Sequence, residues 1–218
     1  MRKSHSIINK KWRKEDKYTM DAENFLKNEV PYKVRRNLIG TVSRAYADTL
    51  NLKTADSAFN SKKGEETLTL VRNLKVEEQI KSEIEKGFLP FLYKEKKNCA
   101  DNCTHYEYET ENAIITVSRV TKENEMPRKA KFRENLSFNN QICIFDDEDK
   151  ISKKHILITH VCEDDQLKCL MLGIPSADGR TWECNFNLLK ELQVITTNDE
   201  DLPDNTIKIR KGIKEGKV

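Results

Sequence analysis

The stretch HILITHVCEDDQLKCLMLGI, residues 155 to 174, decides how the rest of the chain is read. Two apolar runs of strand length flank EDDQ, a short polar cluster of the kind that turns a hairpin. Both faces of each run carry apolar side chains, which predicts a strand pair at the middle of a sheet covered on each side. With a symmetric turn, residues whose numbers sum to 329 face each other, so His160 is expected opposite Cys169, with Cys162 two along on the same face.

Upstream, Tyr106 and Tyr108 alternate with His105, Glu107 and Glu109, the period-two pattern of a half-buried strand. Glu111 and Asn112 make a turn and AIITVSRV returns, so 104 to 120 reads as a second hairpin. QICIF, residues 141 to 145, reads as a further strand. Between them, residues 121 to 140 form a long polar connection, and such connections are usually functional or mobile. Downstream, Pro175 closes the strand, Asp178 with Gly179 makes a turn, and WECNFNLLKELQ supports a short helix through Trp182, Phe186, Leu189 and Leu192. TIKIR, in the polar tail, is a candidate edge strand.

The N-terminal half has a different period. Asp21 is a good N-cap for a short helix over DAENFLKNE, and Pro31 ends it and starts another. Val34, Leu38, Val42, Tyr46 and Leu50 then recur every four positions, with Ile39 and Ala45 widening the stripe. In a third helical region, Leu68, Val71 and Leu74 are spaced by three and Val76, Ile80 and Ile84 by four, which predicts a kink or two short helices meeting near Asn73 to Lys75. Gly87, Phe88 and Pro90 are the stop. The fold class is therefore α+β: a helical N-terminal half, then a mainly antiparallel sheet of hairpins with a C-terminal helix. The organisation reads as a basic, flexible arm over 1–20, a helical region over 21–87, a sheet region with its helix over 88–197 and a polar tail over 198–218.

The 218 residues suffice to bury a core, and although 34% are charged and only 37% hydrophobic, the apolar residues cluster in periodic segments. No apolar run approaches the length of a membrane helix, and no apolar stretch follows the basic start MRKSHSIINKKWRK, so no membrane partner and a cytoplasmic setting are expected. Six cysteines there read as free thiols or ligands.

A net charge of +3 hides an asymmetry: residues 1 to 97 carry 22 Lys and Arg against 14 Asp and Glu, and the remainder 17 against 22. A basic half joined to an acidic half points to an anionic partner on one side. Lys33, Arg35, Arg36 and Arg44 lie mostly off the apolar stripe of the second helix, and Lys53, Lys62 and Lys63 follow. In MPRKAKFRE, residues 126 to 134, Arg128, Lys129, Lys131 and Arg133 are interleaved with Phe132, a texture that suits a phosphate backbone or a single strand. The N-terminal arm, with Trp12 among its cations, has the same texture.

NCADNCTH places Cys99, Cys103 and His105 close together, but C-x3-C-x-H is not the C-x2-C knuckle of a structural zinc site. Its second half would have to come from His160, Cys162 and Cys169, and packing in apolar strands explains those cysteines, as it does Cys143. Asp146 and Asp147, followed by Gln166 and Lys168, loosely resemble the D…(E/Q)-x-K arrangement of restriction-endonuclease-like folds, which implies a metal-dependent nuclease. AYADTLNLKTADSAF, residues 45 to 59, has the rhythm of a helix-turn-helix with Asn51 at the turn and Lys53, Thr54 and Asp56 facing bases, against a plain helical hairpin supplying core. Phosphate-cradling glycine motifs and the G-x-S-x-G elbow are missing, which disfavours nucleotide hydrolysis and dinucleotide redox chemistry. The expectation is a non-enzymatic interaction or regulatory protein that binds nucleic acid through its basic helical half and the 126–134 loop, without a cofactor. A nuclease, or a protein-binding adaptor or inhibitor whose acidic half mimics nucleic acid, is the alternative.

Overall fold

The computed structural model describes residues 22–97, 104–141 and 153–192. Helix α1 spans 22–29, so its expected cap Asp21 lies outside the described residues. Pro31 then starts α2, Tyr32–Ala55, with its carbonyl accepting from the amides of Val34 and Arg35. A 3-10 turn, Ser57–Asn60, leads to α3, Lys62–Glu85, where the Ser61 side chain caps the helix by accepting from the Gly64 amide. Gly87, at φ 78°, closes it, and the amides of Phe88 and Leu89 turn back onto the Glu83 carbonyl.

Two expectations fail along these helices. α3 runs unbroken through Asn73 to Lys75, because its buried stripe is Leu68, Arg72, Val76, Ile80 and Glu83. A charged residue occupies the core position at which the apolar pattern slipped, and Leu74 points outward, 54% exposed. Likewise α2 is continuous to Ala55, so no turn forms at Asn51 and the helix-turn-helix is absent; the plain hairpin of α2 against α3 is what 45 to 59 helps to build. Thr49, not Leu50, completes the buried face of α2.

Six strands follow: β1 Leu92–Lys97, β2 Thr104–Glu109, β3 Ala113–Val120, β4 Lys154–Glu163, β5 Gln166–Pro175 and β6 Trp182–Asn187, in one sheet of that order. Every pairing is antiparallel except β3 with β4, which is parallel. The chain crosses between them through α4, Lys131–Phe138, within the segment read as a plain polar connection. β4 and β5 are the expected buried hairpin inside the sheet, whereas β1 has a polar sequence, LYKEKK, that carries little strand signal. The expected helix from Trp182 is strand as far as Asn187, and of its described residues 188–192 are helical (α5). Cys184 and Phe186 alternate onto the helical face while the bulge beside Trp182 turns that ring to the other face, and pairing with β5 selects the period of two over the helical one. QICIF and TIKIR fall largely or wholly outside the described residues, as does the N-terminal arm.

The main core lies between the helices and one sheet face. Leu26, Leu38, Val42, Val76 and Ile80 meet Ile115, Val117, Ile156, Ile158, Leu170 and Leu172. On the opposite face a smaller cluster gathers Val120, Val161, Cys169 and Met171 under Trp182. There α4 packs Phe132 on the ring of His105, at 3.8 Å between centroids, and joins Ser137 to His155 at 3.0 Å.

Candidate nucleic-acid interface

The first turns of α2 place Lys33, Arg36, Gly40 and Arg44 three or four residues apart, on one ridge of the helix. Across from them the last turn of α3 supplies Glu83, and Lys86 and Phe88 follow. Arg36, Asn37, Gly40, Arg44, Glu83, Lys86 and Phe88 line an open groove of about 420 Å³. At Gly40 a side chain would meet little but the Arg44 guanidinium, 3.5 Å away, so the glycine leaves the groove floor low. Asn37 donates to the Phe88 carbonyl at 2.9 Å, which fixes the far wall.

Three cations and one carboxylate line this groove. Glu83 is buried and holds both Arg44, at 3.0 Å, and Lys86, at 3.1 Å. The two cationic side chains are still half exposed, 53% and 54%, so their remaining donors face solvent. Phe88 is 58% exposed beside them. Of these residues the sequence singled out Lys33, Arg36 and Arg44. It missed Lys86, which carried no reading, and Phe88, which read only as part of the helix stop, and no one-dimensional pattern brings residue 86 next to residue 44.

The other predicted residues are placed elsewhere. Arg35, expected on the basic face, is buried: Nε and Nη2 donate to Glu191 at 2.9 and 2.6 Å and Nη1 to the Val30 carbonyl at 2.7 Å, with the guanidinium over the Phe186 ring. It ties α1, α2 and α5 together as an internal clamp. Lys53 reaches Asp165 at 2.7 Å and Glu65 at 3.6 Å near the other end of α2. Lys62 and Lys63 are exposed in the first turn of α3, away from the groove. Arg128, Lys129 and Arg133 line a small pocket with Ser137, Leu157 and Gly179, on the sheet face opposite the helical layer. There Arg133 donates to Ser118 at 3.2 Å and to the Arg128 carbonyl, while Lys131 is exposed. The 126–134 segment and the helical cations thus form two surfaces and not one.

The expected second His and Cys cluster does not assemble. Near the turn Cys162 faces Leu167 and Glu163 faces Gln166, as a symmetric turn requires. A bulge then shifts the register by one, so Cys169 faces Val161 and His160 faces Leu170. Cys169 therefore belongs to the face under Trp182, whereas His160 and Cys162 lie on the helical face. His105 stacks on Phe132, and Cys99 and Cys103 lie outside the described residues. No three potential metal ligands cluster among the described residues. For the nuclease alternative, Lys168 is paired with Glu163 at 2.6 Å, and Asp146 and Asp147 lie outside the described residues.

Two buried histidines are held neutral. His155 bridges Thr116, at 2.9 Å, and Ser137, and burial, helped by Arg133, pulls its pKa down to about 3. His160 meets the Tyr46 hydroxyl at 2.8 Å, and burial, with Arg119 and Arg72 nearby, pulls it down to about 3 as well.

Comparison of the chain with protein-family models, curated proteins and solved structures found no match.

Proposed function

We propose that this chain is a non-enzymatic interaction protein that binds nucleic acid, with the groove between α2 and α3 as the surface that contacts phosphates. The observation that carries this reading is the convergence of Arg36, Arg44 and Lys86 on one groove that contains a single carboxylate. Guanidinium groups with free donors bind phosphate oxygens in a forked geometry. Phe88 at the rim offers a base a ring to stack on, which favours a single strand over a duplex.

Fluorescence anisotropy with a labelled oligonucleotide, titrated across a salt series, tests the proposal. Three phosphate contacts give a log–log salt slope of about −2 for a single strand. Arg36→Gln is expected to weaken binding and to flatten the slope by about 0.7 on the same scale. Binding that is absent, indifferent to salt, or unchanged in the double variant Arg36→Gln, Lys86→Gln would overturn it.

A further inference from the structure

At the other end of the helical layer lies a second cleft, of about 340 Å³, whose lining includes Lys53, Glu65, Arg72, Arg119, Asp164 and Asp165. The β4–β5 turn reaches into it. Asp164 and Asp165 both adopt positive φ, 49° and 62°, and Asp165 accepts from Lys53 and from Arg72 Nη2, each at 2.7 Å. Behind this carboxylate the polar accounting is incomplete. Arg72, 3% exposed, leaves Nε without a partner, and so does Arg119. His160 Nε2 is a third such atom.

The three residues are linked through their neighbours. Arg119 and His160 are paired residues of β3 and β4, and the Arg72 guanidinium lies over the ring of Tyr46, which bonds His160 Nδ1. Among the described residues the Tyr46 hydroxyl meets no other acceptor, so it donates to Nδ1, and the neutral imidazole carries its own proton on Nε2. All three orphans are thus N–H donors, two of them cationic. Buried donors gathered without acceptors are the complement of an anion.

We propose that this cleft is a binding site for a phosphate-class oxyanion, held by Arg72, Arg119 and Lys53, with Asp165 occupying part of it as an internal surrogate. Glu65 and Asp164 are exposed at the rim, whereas Arg72 forms the floor, so an entering anion meets its strongest partners deepest in the cleft. The β4–β5 turn carries the surrogate, and its displacement uncovers Lys53 and Arg72 together. The cleft exceeds one phosphate in size, so a free ion and a phosphomonoester both fit.

Isothermal titration of the full chain in chloride buffer, with inorganic phosphate in one arm and a 5′-ribonucleotide monophosphate in the other, tests this and separates the two sources. Asp165→Asn keeps a residue that tolerates positive φ while removing the competing charge, and is expected to tighten binding at least tenfold. Arg119→Gln, on a half-buried side chain, is expected to weaken it at least tenfold. Tighter binding of the monophosphate assigns an esterified ligand, and equal or weaker binding assigns the free ion. No heat with either ligand in both the wild type and Asp165→Asn, or unchanged affinity in Arg119→Gln, overturns the proposal. So does a crystal structure at saturating phosphate with only an ordered water between the guanidinium groups.

Discussion

Acidification should unfold this protein in a pH window set by two buried histidines and a half-buried carboxylate, Glu77. His155 and His160 have ordinary pKa values of 6.5 when the chain is unfolded and about 3 when it is folded. The stability they allow is complete above pH 6.5 and is lost as pH falls toward 3, because only the unfolded chain takes up those protons. Glu77 acts the other way: burial raises it from 4.5 to about 7, so between those values the folded chain holds the extra proton. Between pH 6.5 and 4.5 the unfolded state therefore holds nearly two protons on its histidines and the folded state about one on Glu77. Each uncompensated proton is worth about 1.4 kcal/mol per pH unit, so the net loss is roughly 3 kcal/mol across that span. Against a stability on the order of 5–15 kcal/mol, this should be plain in the midpoint of a urea titration. Glu77→Gln removes the offset and should about double the slope with pH. Urea unfolding at pH 7.5, 6.5, 5.5 and 4.5, followed by circular dichroism, measures both, and NMR of the imidazole carbons reports whether the two histidines titrate in the folded protein. Stability that stays flat or rises from pH 6.5 to 4.5, or a folded-state titration of His160 near 6.5, would refute the reasoning.

At Gly173 an added Cβ would lie 2.5 Å from the Cys184 carbonyl and 2.6 Å from the Trp182 ring, so Gly173→Ala should cost about 2 kcal/mol and lower Tm by about 6 °C in a calorimetric scan. Arg35→Met removes charge-assisted bonds to Glu191 and Val30, and about 2 kcal/mol of stability should be lost by denaturant titration even though nucleic-acid affinity is unchanged. If that variant instead loses binding at full stability, Arg35 belongs to the interface. Tyr46→Phe leaves His160 Nδ1 without its donor and should cost about 1–3 kcal/mol, read by the same titration.

Much of the architecture was legible because it rests on short-range periodicity. The central hairpin, the 104–120 hairpin and the α2 stripe each follow from spacings of two or four. What failed was decided by partners distant in sequence. Arg72 fills a core position in α3 because Asp165 and the Tyr46 ring meet it there, so an apolar template sees a phase slip where the helix has none. WECNFN carries both a period of two and part of a period near four, and only the presence of β5 alongside settles which governs. The site suffered most: sequence can show that a side chain is cationic, but whether it faces solvent, as Arg36 does, or Glu191, as Arg35 does, depends on where a remote carboxylate lands.

The single parallel pairing gives the sheet a seam. On one side β1, β2 and β3 are sequential antiparallel neighbours, and on the other β4, β5 and β6 are too, so each meander can zip from its own turns before the two halves meet. Joining β3 to β4 is then the step with the largest loop-closure cost, and it should limit the folding rate. Alanine substitutions along that seam, such as Val117→Ala and Ile158→Ala, and at Phe186 in β6, which its own meander orders before the join, should all slow refolding in stopped-flow traces. An unchanged refolding rate in Phe186→Ala would mean that β4, β5 and β6 do not come together first.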